Sequence, residues 1–179
     1  MRTPDFNLQP ELENELIRIT TLKESDFERL FKVASDPLIW EQHPDKNRYK
    51  RETFQLFFDA HVKSKSAFLI FELKTYELIG CTRYHNYDPV KSKIEIGYTF
   101  LARKYWGGKY NKAMKILLLN HAFQQVKSVV FLIGSENIRS QKAIVKIGAE
   151  KTNELSYDLN GNKMVVYEFE IKKQDWIKH

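Results

Sequence analysis

Apolar and polar residues alternate along this chain with two different periods. Apolar side chains that recur every three or four residues predict a helix that starts at Ser25 and ends before Asp36-Pro37, and a second helix over residues 53–64. Runs rich in β-branched and aromatic residues predict strands over residues 16–22, 67–73, 77–84 and 93–101. Residues 85–92 are predicted to form a loop, and the polar residues 1–14 a lead-in.

The strand predicted over residues 93–101 alternates regularly, so its two faces can be assigned. One face is predicted to carry Ile94, Ile96, Tyr98 and Phe100. The opposite face is predicted to carry Glu95, Gly97 and Thr99.

A long amphipathic helix follows a basic loop over residues 103–111. Its inner face is predicted to carry Tyr110, Ala113, Met114, Leu117, Leu118 and His121. Its outer face is predicted to carry Lys109, Lys112, Lys115 and Gln124. The continuous apolar run over residues 129–133 predicts a strand covered on both faces. A crossover helix precedes it, so we expect it to lie parallel to strand 93–101.

The C-terminal part predicts a short helix and a hairpin. The helix covers residues 140–147 and ends at Gly148. Strands over residues 150–159 and 164–171 flank a turn at Asn160-Gly-Asn162. The full order, β-α-α-β-β-β-α-β-α-β-β, predicts an α/β (α+β) fold in which one domain over residues 1–179 has a single mixed sheet with helices on both faces.

Composition narrows the class of function. The chain has 179 residues with 42% hydrophobic and 13% aromatic residues, which are values of a globular protein. Its formal charge of +6 fits either a nucleic acid or a small polyanion as partner. No run of Lys or Arg exceeds two residues and no nucleic-acid motif is present, so we expect a small polyanion rather than nucleic acid.

The single cysteine excludes an internal disulfide framework and favours a reducing compartment. Cys81 lies in an apolar segment, where a small buried side chain is more common than a nucleophile. Neither a signal peptide nor an apolar run of about 20 residues is visible, so we expect a cytoplasmic protein without membrane contact. No His/Cys spacing typical of a metal site occurs either.

The central stretch, residues 93–148, combines features of an anion site. A strand, a glycine-containing basic loop and a helix follow one another. The first amides of a helix have no partner within the helix, and the helix dipole favours negative charge there.

Four motifs in this stretch resemble those of the GCN5-related N-acetyltransferase (GNAT) superfamily, and most of all its branch with the ribosomal-protein N-terminal acetyltransferases. The motifs stand in the family's order and the likeness covers nearly the whole chain. They are Glu95-Ile-Gly-Tyr98, Lys104-Tyr-Trp-Gly-Gly-Lys-Tyr-Asn111, Glu136-Asn-Ile-Arg-Ser140 and Lys146-Ile-Gly-Ala149.

The resemblance implies a sheet of about seven strands and a cleft for acetyl-CoA between two splayed parallel strands. Backbone groups of Thr99, Phe100 and Leu101 would bond the pantetheine arm, as would Asn137 and Ser140. The pyrophosphate would lie at Gly107, Gly108, Lys109, Tyr110 and Asn111, with charge attraction from Lys104 and Lys109.

One position departs from the family's phosphate loop, Arg/Gln-x-x-Gly-x-Gly/Ala. When the loops are aligned on Gly107, Lys109 stands where the family has a small residue that lets phosphate approach the backbone. Gly108 could provide that approach one residue earlier. A weaker cofactor site is the alternative.

Acetyl transfer to an amine needs a neutral amine, a donor for the oxyanion and a proton for the leaving thiolate. Glu95 is the candidate base, acting through a water, and His85 is a second candidate. The alternative is that Glu95 is a glutamate on the sheet surface. Many family members have, where this chain has Ile144, a tyrosine that protonates the leaving thiolate. Ser140 or a water must therefore donate this proton here. Asn137 and Ser140 could equally be ordinary helix caps.

The acceptor stays open at this level. Its expected lining comes from the first two helices and the strand ends, with Trp40, His43, Tyr84, His85 and Tyr87. Protein N-termini, lysines, polyamines, aminoglycosides and amino acids are all primary-amine acceptors, and one scaffold serves many of them. We expect a monomer or homodimer, and the alternative function is a non-catalytic acyl-CoA-binding regulatory module.

Overall fold

One eight-stranded sheet organises the chain in the computed structural model, which describes residues 6–159 and 162–176. The strands are β1 (Leu12–Glu13), β2 (Ile17–Thr21), β3 (Ala67–Glu72), β4 (Leu78–Asp88), β5 (Lys93–Leu101), β6 (Ser128–Gly134), β7 (Glu150–Leu159) and β8 (Asn162–Lys172). Their spatial order is β1-β2-β3-β4-β5-β6-β8-β7, and all neighbours are antiparallel except β5 and β6.

Five α-helices accompany the sheet in the described residues. They are α1 (Phe27–Ala34), α2 (Arg51–Ser64), α3 (Lys109–Ala122), α4 (Ile138–Val145) and α5 (Lys173–Trp176). Helices α1 and α2 cover one face, where Leu30, Phe54 and Phe58 join a buried cluster. Helix α3 covers the other, where Met114 and Leu118 join a second cluster. The predicted mixed sheet with helices on both faces is confirmed.

The segment predicted as a lead-in takes part in the fold. Leu12–Glu13 pairs with β2, which brings the sheet to eight strands instead of about seven. Phe6 is buried against Tyr84 and Tyr87, with ring centroids 5.7 and 5.2 Å apart. An isolated pair of strand residues carries too little periodicity for the sequence to reveal it.

Strand β4 is longer than its apolar pattern predicts. Residues 85–88, expected to form a loop, continue the strand because His85 pairs with Glu95 and Asp88 with Lys93. The extension places the polar side chains of His85 and Asn86 beside β5.

A bulge in β5 reverses its alternation. Tyr98 has a φ of +53°, and the pairing with β4 shifts there, since Gly97 faces Arg83 while Phe100 faces Cys81. Phe100 therefore packs in the α1–α2 cluster, whereas Ile94 and Ile96 pack on the α3 side. The prediction that Ile94, Ile96, Tyr98 and Phe100 share one face is wrong for this reason. Tyr98 is 41% exposed.

Strands β5 and β6 run parallel as predicted, but they pair over only three rungs. Lys93, Ile94 and Glu95 oppose Ser128, Val129 and Val130, and no rung follows. The strands separate beyond this point, which leaves a gap in the middle of the sheet.

The terminal hairpin is confirmed as antiparallel strands β7 and β8. Residues 160 and 161 of its predicted Asn-Gly turn lie outside the described residues. None of the helices in the described part of the chain has the length and apolar character that crossing a bilayer requires.

Gly80 lies where two strands approach too closely for a side chain. A Cβ at this position would stand 2.0 Å from the Phe100 carbonyl oxygen, whereas one at Gly134 would meet only Pro44 at 3.5 Å. We expect Gly80→Ala to lower the unfolding free energy by about 1–3 kcal/mol or more and Gly134→Ala by less than about 1 kcal/mol. Urea denaturation measures both, and equal losses would contradict the β4–β5 packing.

Candidate active site

A cleft of about 1330 Å³ occupies the gap between β5 and β6 and extends to both ends of it. This exceeds the usual volume of a small-ligand pocket, so it has room for a large ligand. Most of the side chains that the sequence predicted for a site line it: Glu95, Thr99, Phe100, Leu101, Gly107, Gly108, Lys109, Asn111, Asn137 and Ser140.

The loop before α3 presents a row of unbonded amides to this cleft. Gly107 and Gly108 have φ angles of +93° and +143°, and a Cβ on either would meet nothing within 4 Å. Among the described residues, no acceptor receives the amides of residues 107–111. Helix α3 has 14 residues, so its dipole adds to these donors. The arrangement suits a phosphate group.

Trp106 fixes the start of this loop. Its Nε1 donates to the Leu101 carbonyl at 2.8 Å, and the Arg139 guanidinium lies 3.7 Å from the centre of its ring. The loop is therefore tied to both the end of β5 and the start of α4, the elements that flank the gap.

Two of the predicted cofactor residues do not line the cleft. Lys104 donates to Glu77 Oε2 at 2.7 Å, and Tyr105 donates to the same oxygen at 2.8 Å. Tyr110 packs edge-on against Tyr105, with ring centroids 4.8 Å apart. The structure thus gives Lys104 and Tyr110 other partners and leaves Lys109 as the lysine of the loop that lines the cleft.

Glu95 is buried at the last rung between β5 and β6, with only 6% of its surface exposed. Its Oε2 accepts a hydrogen bond from Asn86 Nδ2 at 3.1 Å, and its Oε1 lies 3.0 Å from where a Cβ on Gly97 would be. Burial raises the pKa of this carboxyl, against the opposing effects of Asn86 and of the Arg83 charge. A buried carboxyl that faces a cleft fits a base better than a sheet-surface position does.

Asn137 and Ser140 stand at the start of α4, as predicted. The Asn137 side chain caps the helix, since its Oδ1 accepts from the Ser140 amide at 3.2 Å. Both residues also line the cleft. Ile144 is buried on the same wall and brings no proton donor.

Lys115 is the site residue that the sequence analysis missed. It was assigned to the outer face of α3, yet it is only 5% exposed and lines the cleft. Its Nζ donates to Thr99 Oγ1 at 3.2 Å and lies 5.1 Å from the centre of the Phe131 ring, so it spans the gap between β5 and β6. Burial lowers the pKa of Lys115 to about 7. Its spacing of four from Asn111 and three from Leu118 could have revealed this position.

The residues expected around the acceptor divide into two groups. Trp40, His43 and His85 line the cleft. Tyr84 instead lies in the α3 core, where its hydroxyl donates to the Leu118 carbonyl at 2.6 Å, and Tyr87 packs on Phe6. Within the described residues, no group of three His, Cys, Asp or Glu side chains could hold a metal ion.

Burial keeps the histidines of this region neutral. It lowers the pKa of His43 to about 4, helped by the Arg48 charge, and that of His61 to about 3, helped by Arg83. Burial also lowers the pKa of His85. Neutral histidines leave arginine as the source of positive charge at this end of the cleft.

Comparison with known families gives one match to most of the chain. The family described as Acetyltransferase (GNAT) domain matches residues 17–150, which include the cleft's loop, β5, β6 and α4. A search of the curated proteins finds no match.

Solved structures share the fold at low sequence identity. A GCN5-related N-acetyltransferase from Brucella melitensis is 17% identical with a TM-score of 0.83, over 94% of this chain and 81% of that one. A GNAT-family acetyltransferase from Bacillus anthracis is 18% identical with a TM-score of 0.77, over 92% and 99%. A spermidine N-acetyltransferase from Vibrio cholerae, solved with CoA and spermine, is 13% identical with a TM-score of 0.72, over 92% and 99%.

The buried Lys115 predicts an unusual pH dependence of stability. Between its folded pKa of about 7 and an unfolded value of about 10.4, the unfolded chain binds more protons, so this group's contribution to stability rises with pH. We expect wild type to gain on the order of 2–4 kcal/mol of unfolding free energy relative to Lys115→Met as pH increases from 7 to 10. Denaturant titrations at several pH values measure this difference.

The same change at exposed Lys112, in the same helix, serves as the control. We expect the difference between wild type and Lys112→Met to stay flat over this range. A flat difference for Lys115→Met as well would contradict the burial of its amine.

Proposed function

The chain belongs to the GNAT acetyltransferase family, and we propose that it moves the acetyl group of acetyl-CoA to a primary amine by direct attack in a ternary complex. The observation that carries this proposal is the row of unbonded amides at residues 107–111 beside the unpaired part of β5. A phosphate site and a free strand edge side by side suit a cofactor that has a pyrophosphate followed by an amide-containing arm.

The fit of acetyl-CoA rests on these two features. The amides of Gly107, Gly108 and the first turn of α3 would hold the pyrophosphate, with Lys109 adding charge attraction. Backbone groups of residues 99–101, which have no partner on β6, would bond the pantetheine amides as an added strand does. Asn137 and Ser140 would bond the same arm from the α4 side of the cleft. Acetyl-CoA supplies the acetyl group as an activated thioester.

Glu95 is proposed as the base. An amine acceptor is mostly protonated at neutral pH, with a pKa of ~7.7–8.0 for an α-amine and ~10.4 for a lysine. A buried carboxylate with a raised pKa can take up that proton, directly or through a water. The Asn86 amide holds the carboxylate in place, and Gly97 leaves the space beside it open.

Two groups are proposed as proton donors to the leaving thiolate. Ser140, or a water bound to it, lies on the α4 side of the cleft. Lys115 faces the gap from the α3 side, and a pKa of about 7 lets it give up a proton at neutral pH. Ile144 cannot donate a proton, so we assign this role to one of these groups.

Several narrower sequence predictions remain proposals. We propose that residues 1–179 form one domain, because both buried clusters share one sheet. The resemblance to the ribosomal-protein branch makes a protein α-amine one candidate acceptor beside the small-molecule amines. The single cysteine, Cys81, is buried and free, which supports a cytoplasmic location. A monomer or homodimer is expected, with no nucleic-acid partner.

The cofactor site is tested by isothermal titration with acetyl-CoA. We expect saturable binding by the wild-type protein, and no binding at millimolar ligand would remove the proposal. Lys109→Met should weaken binding roughly three- to tenfold because a cation that lines the phosphate site is lost. Lys104→Met is the matched control and should change affinity less than about twofold, since Lys104 is paired with Glu77. Equal losses would contradict this assignment of the two lysines.

The base is tested by thiol release from acetyl-CoA across a panel of primary amines. Glu95→Gln should lower kcat about 10²–10⁴-fold and leave acetyl-CoA affinity unchanged. The wild-type rate should fall in acid as Glu95 becomes protonated, at a higher pH than for an ordinary glutamate because its pKa is raised. Glu52→Gln, on the exposed face of α2, should behave as wild type. Affinity without turnover in the wild-type protein would leave only a binding module.

A further inference from the structure

The acceptor end of the cleft contains two arginines whose charges are incompletely paired. Arg48 follows the turn at residues 37–40, and Arg83 lies in β4 opposite Gly97. The Arg48 guanidinium lies 4.7 Å from the centre of the Phe57 ring, and that of Arg83 lies 4.0 Å from the centre of the Tyr98 ring. Both rings contact His61, at centroid distances of 3.8 and 5.3 Å, so the two charges belong to one region. Arg48 and Tyr98 line the cleft, whereas Arg83 packs on the Tyr98 ring and does not line it.

The Arg48 guanidinium is held rigidly at the wall of the cleft. It lies 4.7 Å from the centre of the Phe57 ring and 5.3 Å from that of Trp40. Its Nη1 is 3.2 Å from His43 Nε2, and its Nε is buried without a hydrogen bond. Asp45 Oδ2 is 3.4 Å from Nε, which is an ion-pair contact without hydrogen-bond geometry. The guanidinium is therefore oriented in advance and retains donor capacity.

The charge of Arg83 has fewer compensating contacts than that of Arg48. It is only 5% exposed, it lies 4.0 Å from the centre of the Tyr98 ring, and its Nη2 is 2.9 Å from His85 Nδ1. Its Nε has no hydrogen bond, and no carboxylate in the described part of the chain comes within ion-pair distance of it. A buried charge without an anionic partner is costly, and it keeps the electrostatic potential of its surroundings positive.

The remaining titratable groups do not cancel this charge. His43, His61 and His85 are neutral because burial lowers their pKa values. Asp45 offsets part of the Arg48 charge, and Glu95 is bonded to Asn86 and has a raised pKa. Within residues 6–159 and 162–176, the two arginine charges are thus opposed by only two carboxyl groups. One is Asp45 at the surface, and the other is Glu95, the proposed base that must accept a proton during the reaction.

We propose that the acceptor is a small amine that also carries a carboxylate, such as a free amino acid, with the carboxylate bound by Arg48 and the amine directed to Glu95. The inference rests on the proposed transferase function. Arg83, beneath Tyr98, keeps the local potential positive without touching the substrate. The walls at this end come from the segment at residues 40–48, β4, β5 and the β7–β8 hairpin. A polyamine fits poorly because its second ammonium would meet Arg48.

The test compares matched acceptors on the wild-type protein. Amino acids are paired with their carboxamides, and a polyamine is added; thiol release gives kcat/KM for each. The carboxamide has the less basic and therefore more readily deprotonated amine, so chemistry alone favours it. We expect at least one amino acid to exceed its carboxamide tenfold or more. Equal or greater turnover of the carboxamides or of the polyamine would overturn the proposal.

Variants test whether Arg48 is the residue that binds the carboxylate of the acceptor. Arg48→Gln should lower kcat/KM for the preferred amino acid roughly 10–100-fold and change that of its carboxamide less than about threefold. Arg51→Gln is the control, because Arg51 also stacks on aromatic rings but pairs with exposed Glu28 away from the cleft. Equal losses on both acceptors for Arg48→Gln would assign it a structural role.

The outcomes also separate this inference from the proposed function. Saturable binding of acetyl-CoA together with turnover that does not depend on the carboxylate removes the inference alone. Binding of acetyl-CoA with no turnover of any carboxylate-bearing amine likewise removes it. Failure to bind acetyl-CoA removes the proposed function itself, and the acceptor assignment with it.

Discussion

The site depends on one structural constraint: β5 and β6 stop pairing after the rung between Glu95 and Val130. Backbone groups in the middle of a sheet are normally bonded, so an unpaired edge there requires another partner. The bulge at Tyr98 sets the directions of the side chains that follow it in β5, because it turns Thr99 toward α3 and Phe100 toward the α1–α2 core. The end of β5 is therefore anchored in both buried clusters, through Leu101 on the α3 side and Phe100 on the α1–α2 side.

Burial of charged groups distinguishes this cleft from an inert groove. Glu95, Lys115 and Arg83 each have at most 6% of their surface exposed. Each costs stability in its charged form, and the structure compensates them with neutral partners: Asn86 for the carboxyl, Thr99 for the amine and His85 for the guanidinium. Burial moves the pKa values of Glu95 and Lys115 toward neutrality, which is what proton transfer in acyl transfer to an amine requires.

The sequence predicts the regular elements well and their distortions poorly. Apolar periodicity locates every long strand and helix, and the motif at residues 104–111 locates the loop whose unbonded amides face the cleft. Apolar periodicity does not reveal the bulge, because regular alternation assigns Tyr98 to the wrong face of β5. The sequence predicts Lys115 on the outer face of the helix, whereas contacts with Thr99 and Phe131, distant in the chain, bury it. The pairing of Lys104 with Glu77 joins residues 27 positions apart, which no local pattern contains.

Amide NMR spectra recorded during titration with acetyl-CoA test the central claim most directly, because they report on the backbone groups that the account assigns. We expect shift changes and slowed hydrogen exchange at residues 99–101 and 107–111, with the outer strands β1 and β2 unaffected. Spectra in which those amides stay unchanged while acetyl-CoA binds elsewhere, or does not bind, would contradict it.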